Sequence, residues 1–322
     1  MERGSYFNRC GSSINVIRMT RFILFISIFV VQVFSDTFPT ALGECNLEIY
    51  GGRVDDIPEI VQLIKNESVK LVDEWGEVNI RSYSVYITSN MEDFYEKSKG
   101  PVPEWGIALA KVNPDRAILK SPGLANISFI RMKEVIVHEL SHIYMFRIPN
   151  YQTMPSWFKE GMAMAGSNEL SMLHKIEISK AHWRKQTIPL QRLRNMGIHS
   201  KGKIKLAYGE SAAAVEALQY YYGEDTPLKI LDDMRTGMEF YDALEAAINE
   251  EYIEFQIKFE IYLEENYNWV FLLRSAKYLY VILPIILVLG FLYRNHRNKL
   301  KLKQWEIEEE LENTEWNEEL PN

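Results

Sequence analysis

The spacing of apolar positions changes character along the chain. From Val78 to Thr88 (VNIRSYSVYIT) apolar and polar residues alternate, with β-branched and aromatic side chains prominent, which predicts a strand. Ser89 or Asn90 can cap a helix running to about Lys99, and Gly100-Pro101-Val102-Pro103 forms a rigid connector. Gly106–Val112 and Arg116–Lys120 read as two further strands joined at Asn113-Pro114-Asp115, a hairpin that could offer Arg116–Lys120 as an edge for an extended peptide. From Ile130 to Arg147 the period becomes helical, with Val135, Ile136, Leu140, Ile143 and Tyr144 on the apolar positions and Pro149-Asn150 as a stop. Pro155 opens the next helix, through about Gly166, and helical segments follow near 168–186, 207–222, 225–236, 239–247 and 251–268. The predicted fold class is α+β, a small antiparallel sheet followed by a helical region.

Two apolar stretches near the ends fall outside this rhythm. Phe22–Phe34 is too short to span a bilayer as a helix; preceded by Arg18 and Arg21 and followed by Ser35, it reads as a secretory signal over residues 1–35. Met19 offers a second start, and an uncleaved N-terminal anchor is the competing reading. The other stretch, Tyr278–Tyr293 (YLYVILPIILVLGFLY), extends upstream to Trp269 and is flanked by aromatic residues. Arg294, Arg297, Lys299, Lys301 and Lys303 follow it directly. The expectation is a single transmembrane helix over 269–293 in the cell membrane, with residues 36–268 exported and a charged tail, 294–322, in the cytoplasm.

Charge and composition narrow the function. The 322 residues carry 36 Lys and Arg against 44 Asp and Glu, a net −8, which excludes a nucleic-acid partner that grips phosphates. Apolar residues at 47% and charged residues at 25% fit a folded domain rather than a disordered chain. Two cysteines, Cys10 and Cys45, are too few for a disulfide scaffold or a cysteine-rich metal cluster.

The chemistry concentrates in the helix near 130–147, where His138-Glu139-Leu140-Ser141-His142 forms H-E-x-x-H. Histidines at i and i+4 stand one above the other and can share a Zn²⁺, while the glutamate between them can take a proton from water at the metal. Apolar neighbours on both sides of the motif argue against two histidines on a solvated face. A third ligand is needed. Positions 145 and 148, where a longer motif would place glycine and histidine, are Met145 and Ile148. Glu160, 18 residues past His142 on the next helix, is the alternative, with Gly161 and Ala163 leaving room for the two helices to approach. His174, His182 and His199 read as surface residues.

These motifs resemble the thermolysin-like gluzincins, specifically the peptidase MA-like family of bacterial zinc metalloproteases: VHELSH, then Trp157–Ala163 (WFKEGMA), then Tyr208-Gly209-Glu210-Ser211 ahead of Ala212–Tyr220. The resemblance spans roughly 80–262. It implies a zincin-type domain with His138, His142 and Glu160 as zinc ligands, Glu139 as general base and Tyr208 as the donor to an oxyanion, with peptides or proteins as substrates. From the residues alone, Tyr208 could equally be a core aromatic. Some gluzincins place an aspartate four residues beyond the glutamate ligand to orient a zinc histidine. Here that position is Met164, so another group, such as a backbone carbonyl, must do that work. The leading expectation is a membrane-anchored zinc endopeptidase facing outward; the alternative is a catalytically degenerate binding module on the same fold.

Overall fold

The computed structural model describes residues 33–51, 56–100, 102, 106–196, 201–268, 282–303 and 305–306. β1 (Val33–Thr40) and β2 (Gly43–Tyr50) form an antiparallel hairpin, followed by α1 (Ile57–Trp75), β3 (Tyr83–Thr88), α2 (Met91–Ser98), β4 (Ala108–Lys111) and β5 (Arg116–Lys120). The sheet order is β1-β2-β3-β5-β4, with β2 and β5 parallel to β3, and β4 antiparallel to β5. The sheet is therefore mixed, which corrects the expected antiparallel one. The reason is topological: α1 and α2 carry the chain over the sheet between β2, β3 and the hairpin, and such crossovers return strands in parallel. The β4–β5 hairpin itself is antiparallel, as expected. β5, however, is paired on both sides and buried throughout, so the edge strands are β1 and β4 and not Arg116–Lys120. β1 begins inside the stretch read as a leader, overlapping it at Val33–Ser35.

A short helix, α3 (Pro122–Ala125), leads into α4 (Phe129–Met145), whose N-terminus is capped by the Ser128 hydroxyl accepting the Arg131 N–H at 3.1 Å. Such a cap contributes about 1 kcal/mol. Every residue of α4 from Val135 to Met145 is buried, because the helix packs on the sheet, on α1 and on α5 (Ser156–Gly166). Just beyond α4, Arg147 donates to the carbonyls of Leu42 and Arg81 and lies 3.5 Å from Asp115, tying the end of the helix to the strand ends. The remaining helices are α6 (Met172–Trp183), α7 (Lys201–Tyr222), α8 (Thr226–Arg235), α9 (Phe240–Ile248) and α10 (Tyr252–Tyr267). The core is continuous, running from Leu47 and Val85 in the sheet through Leu140 and Trp157 to Phe240 and Phe255.

Among the described residues no helix is long and apolar enough to cross a membrane, so the expected transmembrane helix gains no support here. A helix does cover 282–303 with every side chain exposed. Residues 269–281, along with the leader up to residue 32, most of the tail and His199, lie outside the described residues.

Candidate metal centre

On α4 the i, i+4 spacing brings His138 and His142 together, with their Nε2 atoms 3.2 Å apart. The turn after α4 sends α5 back alongside it, and Glu160 meets both rings: its Oε2 lies 3.3 Å from His138 Nε2 and 3.4 Å from His142 Nε2. The three residues offer one ligand atom each, all within 4.8 Å of one another. Glu139 points into the same space and is only 5% exposed. Glu139 Oε2 and Glu160 Oε2 are both buried, and neither accepts a well-directed hydrogen bond from protein. Buried carboxylate oxygens are normally paired. Two of them orphaned beside converging imidazole nitrogens fit a cation and its water.

Gly161 was expected to let α5 approach α4; it serves α7 instead. A Cβ there would run into the Ser211 carbonyl and the Val215 side chain. That close approach sets Tyr208, one turn before Ser211, with its ring centroid 6.4 Å from that of His138, edge to face. α7 is held from its other side by Glu210, fully buried, which accepts the Ile188 N–H on both oxygens at 3.3 and 3.0 Å. Glu210 stands within the Tyr208–Ser211 motif, but nothing local in the sequence marks it as the group that fastens this segment.

His138 Nδ1 lies 3.0 Å from Glu169 Oε2, and Arg131 Nη1 lies 2.9 Å from the other oxygen, Glu169 Oε1. Sequence reading missed Glu169, because its nine-residue distance from Glu160 follows no helical period. His174 is no ligand: it stands at the start of α6, where its Nδ1 accepts the Ser171 N–H in a capping box. His182 is on α6 as well, away from the cluster.

The electrostatics follow from the burial. Burial by itself would lower the pKa of His138, but its approach to Glu160 and Glu169 and the charges of Glu169 and Glu139 raise it to about 10. Burial pushes Glu139 up to about 7 despite both histidines. Glu160 and Glu169 are buried too, yet the histidines, and for Glu169 also Arg131, hold them below the usual carboxylate range. Tyr208 is raised, first by the charge of Glu160 and then by burial, so its hydroxyl keeps its proton.

The sequence model of the Peptidase MA superfamily matches residues 64–261, from within α1 to within α10. The chain belongs to the Peptidase MA superfamily. That match covers the sheet beyond β2, the H-E-x-x-H helix and the helical region behind it. A comparison with curated protein sequences returned no match. Among solved structures, this Peptidase MA member is similar to an M1 zinc metallopeptidase from Deinococcus radiodurans, at 15% identity and a TM-score of 0.41, over 72% of this chain and 52% of that one. A variant of that enzyme bound to a Tyr-Ser-Ala substrate aligns at 14% identity and a TM-score of 0.40, over 72% and 51%. An aminopeptidase N family protein from Idiomarina loihiensis aligns at 11% identity and a TM-score of 0.41, over 68% and 43%. The chain thus spans about half the length, or less, of these structures.

Proposed function

We propose that this Peptidase MA member is a zinc metalloendopeptidase, anchored in the cell membrane and facing outward, that hydrolyses peptide bonds of peptide or protein substrates. The observation that carries the reading is the convergence of His138, His142 and Glu160 donor atoms within 4.8 Å beside the orphaned carboxylate of Glu139. Two histidines and a glutamate are a donor set suited to catalytic zinc, which leaves a fourth position open. Zinc held by these residues would polarise a carbonyl and lower the pKa of water in that position to about 7.

The protein's own residues do the rest. Glu139, buried beside the converging ligand atoms, is placed to accept a proton from the attacking water and pass it on to the leaving amine. Tyr208 beside His138 keeps its proton and can donate it in a hydrogen bond to the oxyanion that develops on the carbonyl. β4, the edge strand beside α4, is where an extended peptide could add a strand.

Anchoring rests on the apolar run 269–293 and the five cations between Arg294 and Lys303. Support also comes from the outward exposure of apolar side chains such as Leu283, Leu287 and Phe291 on the helix over 282–303, which in water would be a costly arrangement. A leader at 1–35 would deliver residues 36–268 outside.

The full-length protein in detergent, offered a peptide library with and without a chelator, tests the activity. Cleavage should require about one equivalent of zinc, and Glu139→Gln should retain the zinc and lose turnover. Undiminished cleavage by that variant would overturn the mechanism, and a wild-type protein holding no zinc would favour a binding module. Extraction of membranes with alkaline carbonate tests the anchor, since a spanning chain stays in the pellet.

A further inference from the structure

We propose that Glu169 is the positioning residue for His138, locked in place by Arg131, and that this pair does the work an acidic residue at position 164 would otherwise do. The inference rests on the zinc reading and concerns how this chain prepares its ligand.

The loop after α5 is built to deliver this one carboxylate. The Ser167 N–H donates to Ala163 O at 3.0 Å and the Glu169 N–H to Met164 O at 3.0 Å, while Asn168 between them takes a left-handed φ of 55°. This closes the end of the helix and reverses the chain. The Ser171 N–H then donates to Glu169 O at 2.6 Å as α6 begins. Glu169 is thereby carried back over the end of α5 to face α4, although it lies nine residues beyond Glu160 in sequence.

The partner on α4 is placed just as specifically. Arg131 stands seven residues before His138, two helical turns earlier and so on the same face. Its Nη1 reaches Glu169 Oε1 at 2.9 Å and Glu134 Oε2 at 2.7 Å. Both oxygens of Glu169 are therefore used, one by Arg131 and one by His138, in a side chain that is 6% exposed. A carboxylate this buried costs several kcal/mol in lost hydration unless both oxygens are satisfied.

The consequence lies in the imidazole. When Nδ1 carries the proton and donates it to Glu169, the free lone pair of His138 is on Nε2, the atom 3.2 Å from His142 Nε2 and 3.3 Å from Glu160 Oε2. The carboxylate fixes the tautomer and the ring plane together, and it raises the basicity of the ligand. Without it, Nδ1 would be a buried donor lacking an acceptor, and either ring nitrogen could carry the proton.

Zinc titration of the full-length protein against a competing chromophoric chelator tests the assignment. Glu169→Gln should weaken zinc binding by about 10–100-fold, and Arg131→Gln should weaken it less but in the same direction. The metal-free variants lose a buried ion pair and should also melt lower, so zinc affinity, measured on folded protein, is the deciding readout that a purely structural pair would leave alone. Equal zinc affinity in wild type and Glu169→Gln overturns the proposal. If that variant does not fold, nitrogen-15 resonances of the zinc-loaded wild type decide: a protonated His138 Nδ1 with a strongly deshielded proton supports it, and an unprotonated Nδ1 overturns it. A wild-type protein that takes up no zinc would instead remove the zinc reading on which the proposal stands.

Discussion

Gly161 of α5 lies against the backbone carbonyl of Ser211 on α7, so close that a single added carbon would run into it. The contact joins the helix bearing Glu160 to the helix bearing Tyr208. The proposed zinc ligand Glu160 and the proposed oxyanion donor Tyr208 are thus spaced by a glycine that carries no side chain of its own.

Gly161→Ala should therefore cost about 1–3 kcal/mol through overpacking, because the obstacle is backbone and cannot rotate away. The midpoint of denaturant unfolding would fall with its slope unchanged. A midpoint equal to that of wild type would show that the helices can part freely. Where the variant folds, zinc affinity should also drop, since Glu160 is the adjacent residue.

Removing the Tyr208 hydroxyl separates its two readings. Tyr208→Phe keeps the ring that faces His138 edge-on. If the hydroxyl stabilises the oxyanion, kcat falls by about 10²–10³ while bound zinc and KM stay near wild type. A core aromatic would lose little turnover.

The metal-free protein should depend on pH in a way that the zinc-loaded protein does not. His138 is raised from 6.5 to about 10, so its contribution to stability is fully present below pH 6.5 and is lost as pH rises through 10. Glu139, raised from 4.5 to about 7, acts in the same sense over the lower window, because its protonated form is favoured in the folded state. Calorimetry in chelator should give a lower melting temperature at pH 9.5 than at pH 6. With zinc bound, His138 is already neutral, and the decline between those pH values should shrink. Parallel declines with and without zinc would contradict this.

Arg147 tests what holds the H-E-x-x-H helix to the sheet. Its guanidinium donates to the Leu42 and Arg81 carbonyls and lies 5.5 Å from the Tyr83 ring centroid. Arg147→Met fills similar space but takes the side-chain donor from the Arg81 carbonyl, while the Leu42 carbonyl keeps only the Arg81 N–H at 3.4 Å, at a total cost of about 1–3 kcal/mol. Chemical denaturation measures the loss. Asp115 keeps its bond from Arg81 Nε at 2.8 Å, so the defect should remain local.

Much of this protein is legible from local pattern. The strand ending at Thr88, the Asn90 cap, the β4–β5 hairpin and the helices from α4 to α10 all follow from periodicity, caps and breakers within windows of a few residues. The convergence of the candidate ligands is legible too, because i, i+4 spacing alone sets His138 over His142, and a single turn of chain is enough to return Glu160. The first hairpin and α1 are not legible in the same way. β1 (VFSDTFPT) is mostly exposed and carries little alternation, and its order comes from pairing with β2.

By itself, then, the sequence determined which residues are chemically competent and which helices carry them, since those depend on contacts a few residues apart. Only the tertiary structure decided the rest. The β2–β3 and β3–β5 crossovers made the sheet mixed and left β4, not β5, at one of its edges. Packing against α7 assigned Gly161 its neighbour, and a left-handed turn at Asn168 brought Glu169 to His138. Each of these is set by which surfaces bury together, and such partners leave no fixed interval in the chain to be read.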